Sequence, residues 1–67
     1  MKSIGELVNE VKGIDDLGFA KRFELGSVDT AYFRRLDFDN WLRRCVEPGR
    51  QFVDIKEAWG QYEKSFG

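Results

Sequence analysis

Five arginines, Arg34, Arg35, Arg43, Arg44 and Arg50, lie in the middle of this chain, with Asn40 among them. Each guanidinium is a planar, permanently charged fork of five N–H donors that suits carboxylates and phosphates. Helices carrying these residues outward would face an anion, either nucleic-acid phosphate or an acidic protein surface. A plainer use is open to the same residues. Asp37, Asp39 and Glu47 stand close by, and exposed ion pairs of this kind are common and individually weak.

Little else in the chain could do chemistry. It has no histidine and one cysteine, Cys45. A reactive thiolate needs an activating base or a helix N-terminus. Cys45 falls at a helix C-terminal end, where the dipole opposes negative charge, so it reads as a small buried hydrophobe. The carboxylate pairs Asp15/Asp16 and Asp37/Asp39 are accounted for by helix capping. No Cys/His cluster has the spacing of a zinc site, and no calcium-loop spacing is present. Phosphate-binding glycine loops are also missing. The expectation is a non-enzyme with no catalytic residue, metal, cofactor or small-molecule substrate.

Sixty-seven residues make one domain, spanning 1–67. A core this small rarely supplies more than ~3–5 kcal/mol without a staple. One cysteine cannot close an internal disulfide, so large side chains must build the core. Ten aromatics, including Trp41 and Trp59, are there to do it.

The net charge of −1 is not that of a general nucleic-acid coat protein. The charge is uneven, however. Residues 1–31 carry four basic side chains against six acidic, whereas residues 32–50 carry the five arginines against three acidic. No apolar run approaches the roughly 18 residues of a membrane span. Glu6, Asn9 and Glu10 interrupt any signal-peptide pattern at the N-terminus. With a lone cysteine, these features point to a cytoplasmic protein, bacterial or acting in a cytoplasm as the product of a phage or mobile element.

The elements that must position these residues are helical. Ser3-Ile4-Gly5-Glu6 has the form of a capping box, and Ile4, Leu7, Val8 and Val11 repeat on one helix face, predicting a helix over about 4–12. Asp15 or Asp16 caps a second helix whose Leu17, Ala20 and Phe23 share a face, with Phe19 beside them and Gly26 as its stop. Residues 29–46 pose a conflict of phase. At 100° per residue, Tyr32, Phe33 and Leu36 gather on one side, and Phe38, Trp41, Leu42, Cys45 and Val46 nearly opposite. One straight helix would point half of these aromatics into water. The expectation is therefore two short helices, about 29–36 and 39–46, bent at Asp37-Phe38-Asp39, with either aspartate capping the second.

Glu47-Pro48-Gly49 turns the chain, and Arg50–Val53 is a loop or short extended piece. Asp54 then opens a helix over about 55–65, with Ile55, Ala58, Trp59, Tyr62 and Phe66 in phase. Trp41, Trp59, Tyr62 and Phe66 all occupy core-facing positions. Gly60 would let a neighbouring element approach. The fold class is all-α, a compact bundle of four to five short helices in a helix-turn-helix-like or sterile-alpha-motif-like arrangement.

Two local resemblances accompany this reading. Phe38-Asp39-Asn40-Trp41-Leu42-Arg43-Arg44-Cys45-Val46-Glu47-Pro48-Gly49, followed by Glu57-Ala58-Trp59 and Tyr62, resembles the C-terminal winged-helix segment of phage and plasmid primase-helicases. Glu57-Ala58-Trp59-Gly60-Gln61-Tyr62-Glu63 is similar to the closing helix of a small sterile-alpha-motif-like bacterial family. Neither reaches residues 1–27, and neither assigns a functional residue; the first adds weight only to a DNA-related role.

The function expected is a protein-interaction module, an adaptor or small inhibitor of a larger complex, binding through Arg34, Arg35, Asn40, Arg43, Arg44 and Arg50. The alternative is a small DNA-binding or replication-associated domain using the same basic zone. The expected partner is another protein, with nucleic acid the alternative ligand, no membrane, and homodimerisation left open.

Overall fold

The computed structural model describes residues 1–65. Its elements run β1 (Lys2–Ser3), α1 (Ile4–Gly13), α2 (Asp16–Arg22), α3 (Val28–Arg44), β2 (Gln51–Phe52) and α4 (Ile55–Lys64). Four helices thus build a mostly helical domain with a minor two-stranded sheet.

Each helix begins at a side chain that satisfies an otherwise orphaned backbone N–H. Ser3 accepts from the Glu6 amide, Asp15 from Gly18, Ser27 from Thr30 and Asp54 from Glu57. Three of these caps are legible in the sequence; the fourth, Ser27, starts α3 at Val28, one residue ahead of the expected Asp29. β1 and β2 pair antiparallel, Lys2 with Phe52 and Ser3 with Gln51, so the start of the chain is tied to the segment that leads into α4. Ahead of β2, Glu47-Pro48-Gly49-Arg50 makes a turn in which the Arg50 amide donates to the Glu47 carbonyl and Gly49 takes a φ of +85°. That is the proline-then-glycine pattern of a type II turn.

The core draws on every helix: Leu7, Val8 and Val11 of α1, Phe19 and Ala20 of α2, Ala31, Phe38 and Leu42 of α3, and Ile55, Ala58, Trp59 and Tyr62 of α4, with Val46 and Phe52 from the connection. Trp59 is its hub. Its indole stacks on Phe23 at 4.4 Å and meets Phe19 and Phe38 edge-on at 5.4 and 5.1 Å. Offset and edge-to-face ring pairs add to simple area burial, which is how a chain whose one cysteine cannot close an internal disulfide fills its interior.

Several expectations need correction. Residues 28–44 form one helix, with no break at Asp37. Neither glycine nor proline interrupts this stretch, so nothing local stops propagation. The phase conflict is resolved by leaving one apolar group in water. Ala31, Phe38 and Leu42, at i, i+7 and i+11, are buried, whereas Phe33 is 67% exposed and Tyr32 and Leu36 are 43% and 44% exposed. Asp37 and Asp39 therefore cap nothing and serve side-chain contacts instead.

Cys45, expected inside, is exposed at the α3 C-cap, and Val46 takes the buried place beside it. Leu17, expected on the core face of α2, is exposed, while Phe19 is fully buried. That helix ends at Arg22, before Gly26. Its terminus is closed by the Leu25 amide donating to the Ala20 carbonyl, with Glu24 in the left-handed region at φ +55°. Trp41 is only partly buried, packed against the core. Gly60 has open space where a Cβ would stand, so among the described residues no element approaches it. Phe66 lies outside the described residues.

Candidate interaction surface

α3 is the element on which the expected binding residues and the exposed apolar residues meet. Ala31, Phe38 and Leu42 hold its inner side against the core. Its 17 residues span about 25 Å. Val28, Tyr32 and Leu36, at i, i+4 and i+8, form a row along one flank of the helix, with Phe33 beside it on the side turned furthest from the core. The Tyr32 and Phe33 rings meet edge-on at 5.3 Å. Leu17 of α2 and Val28 line one shallow hollow, so the apolar row continues toward α2. Exposed apolar groups scattered singly are ordinary, but a contiguous cluster marks a contact surface.

The four arginines of α3 do not share one face. Successive residues turn by 100°, so relative to Arg34 they stand at roughly 0°, 100°, 180° and 280° around the helix. Arg35 turns to α2 and lies 3.0 Å from an Asp16 carboxylate oxygen, both side chains being largely covered. The contact is an ion pair without an aligned hydrogen bond, since the Arg35 Nε and that Asp16 oxygen are buried with no hydrogen-bond partner among the described residues. Arg34 lies beside the Tyr62 hydroxyl on α4. Arg50, beyond α3, stands over the Phe52 ring at 5.0 Å. Asn40, Arg43 and Arg44 are the candidates that α3 carries outward at its C-terminal end. Arg43 is held at 3.2 Å by Asp39, one turn back.

Arg44 and Asn40 also border a hollow of about 240 Å³, which includes Asp37, Trp41, Cys45 and Tyr62. At its wall the Tyr62 hydroxyl donates to the Asp37 carboxylate. Burial of the phenol, and then that hydrogen bond, push the Tyr62 pKa up to about 12 from 10.0, against an opposing pull from Arg34. This cluster joins α3 to α4 and serves cohesion.

Tyr32, Phe33, Leu36, Val28 and Leu17 are the surface residues that reasoning from charge alone passes over. Their signal is in the sequence all the same: two opposed apolar groups on an uninterrupted helical stretch, only one of which a small core can take in. Among the described residues, no helix is long and apolar enough to cross a membrane. No protein-family model, curated protein or solved structure matches the chain.

Proposed function

We propose that this chain is a non-enzymatic protein-interaction module whose working surface is the outer side of α3. The observation that carries this reading is the exposure of Phe33, Tyr32 and Leu36 on a helix whose other side is anchored in the core. Aromatic and arginine side chains dominate binding hot spots, and here Tyr32 and Phe33 form an apolar centre with Asn40, Arg43 and Arg44 at one end. A helix that presents its apolar face from a packed scaffold needs little reordering to bind, which lowers the entropic cost of association. The dispersal of the arginines favours a protein partner over nucleic acid. Phosphate contacts add up along a positive track, and Arg34 and Arg35 are turned toward Tyr62 and Asp16 instead.

The test is capture of partners by the tagged chain from a lysate of its source cells, with and without nuclease, read by mass spectrometry. A partner that survives nuclease and is lost with Phe33→Glu or Arg43→Glu is the expected result. Capture indifferent to Phe33→Glu, Leu36→Glu, Arg43→Glu and Arg44→Glu would refute the assignment. Enrichment that disappears with nuclease alone would make nucleic acid the ligand.

A further inference from the structure

The exposed side of α3 is self-complementary. Asp29, Leu36 and Arg43 fall at i, i+7 and i+14, so they lie along one line of the helix with a drift of only about 20° per heptad. All three are exposed. Each step of seven residues is about 10.5 Å of rise, which sets the Cα atoms of Asp29 and Arg43 equally far from that of Leu36 on either side; the Arg43 guanidinium rests on Asp39 and must swing from it to reach a second copy. A surface that binds its own copy across a two-fold axis must carry matching opposites at equal distances from that axis.

We infer that the partner of this face is a second copy of the chain, with the two α3 helices antiparallel about a two-fold axis at Leu36. This rests on the reading of the outer side of α3 as a binding surface. In that arrangement Leu36 meets Leu36 at the centre. Asp29 of each copy stands beside Arg43 of the other, so the charge match occurs twice. Tyr32 faces Asn40 of the other copy, and the Tyr32 and Phe33 rings cover the central leucines. A parallel pairing would set Asp29 against Asp29 and Arg43 against Arg43, and this repulsion selects the antiparallel direction. Opposed helix dipoles favour the same choice. The apolar centre is three side chains per copy, Tyr32, Phe33 and Leu36, and small interfaces belong to weak, transient association, so dimerisation is expected to be weak and concentration-dependent.

Sedimentation equilibrium of the full chain over a range of concentrations tests this. The apparent mass should rise from the monomer value of 7.8 kDa toward twice that value. Asp29→Arg and Arg43→Asp should each weaken self-association by at least about tenfold, the equivalent of 1.4 kcal/mol, because each sets like charges together at both ends. Mixed one to one, the two variants should pair with each other, since every juxtaposition is then attractive. Circular dichroism of each variant reports whether it is folded. As a second measurement, Leu36→Cys in a Cys45→Ser background places one thiol on the axis and should give a disulfide-linked dimer on mild oxidation. The proposal is overturned if the wild-type chain keeps its monomer mass throughout, if the mixture associates no better than either variant alone, or if the Leu36→Cys chain fails to cross-link. A monomeric wild type whose capture of another protein is still abolished by Phe33→Glu overturns the self-association and leaves the interaction-module reading standing. If neither property depends on this face, both fall.

Discussion

The Tyr62 hydroxyl on α4 donates to the Asp37 carboxylate on α3, joining residues 25 positions apart, with the Arg34 guanidinium beside that hydroxyl. It is the polar clasp of an otherwise apolar helix contact, and the stability of the domain at alkaline pH depends on it.

Burial first, and the bond to Asp37 second, raise Tyr62 from 10.0 to about 12. In the unfolded chain the phenol loses its proton near the ordinary value, while in the folded chain it keeps it. The contribution to stability is therefore complete below pH 10 and is lost as pH rises from 10 through about 12. Asp37 is itself exposed, so solvent screens part of this effect, and what is read is the slope of stability against pH rather than a fixed energy. Urea unfolding at about pH 9 and about pH 11 should show a steeper loss for the wild type than for Tyr62→Phe. Equal losses would show that Tyr62 is not the group responsible.

Asp37 and Asp39 should differ sharply when each is replaced by alanine. Asp37→Ala takes the acceptor away from a hydroxyl on a fully buried residue, a change that costs about 1–3 kcal/mol. Asp39→Ala removes only the one-turn ion pair with Arg43, whose side chain is 46% exposed, and should cost no more than about 0.5 kcal/mol. Denaturant midpoints of the two variants decide the matter, and equal values would contradict the structure.

Phe33 and Phe38 stand five residues apart on α3, one 67% exposed and the other fully buried. Phe38→Ala should cost about 3–5 kcal/mol, enough to unfold a domain of this size near room temperature. Phe33→Ala should leave stability within about 0.5 kcal/mol of wild type while weakening binding. Thermal melts followed by circular dichroism separate them. A folded Phe38→Ala beside an unfolded Phe33→Ala would mean that α3 is rotated by about half a turn from the orientation described.

Glu24 occupies the left-handed position that closes α2, at φ +55°. The Leu25 amide reaching back to the Ala20 carbonyl at 2.9 Å is the six-to-one bond of a Schellman motif, in which glycine is the usual residue at this place. A side chain there costs about 1–2 kcal/mol. Glycine relieves that strain at the expense of a more flexible unfolded chain. Glu24→Gly should therefore raise stability by about 0.5–1 kcal/mol, seen as a higher melting temperature with unchanged helicity. A lower melting temperature would mean that the Glu24 side chain makes a compensating contact.

What the sequence determined by itself is local. Ser3, Asp15 and Asp54 start α1, α2 and α4 because a short oxygen-bearing side chain reaches an amide three residues on, whatever surrounds it. The buried faces of α1 and α4 are legible for the same reason. Leu7, Val8 and Val11, and Ile55, Ala58, Trp59 and Tyr62, form single stripes with polar residues opposite, so each helix has one way to face a core.

In α3 that determinacy fails, since Tyr32, Phe33 and Leu36 compete with Phe38, Trp41 and Leu42 for the same interior. Only the combined packing of α1, α2 and α4 decided between them. Burial is proportional to the apolar area that a neighbour can cover, and those neighbours are not encoded within α3. The same non-local choice placed Arg35 beside Asp16, Arg34 beside Tyr62 and Cys45 in water. It also left three large apolar side chains of α3 on the surface, between an exposed Asp29 and an exposed Arg43.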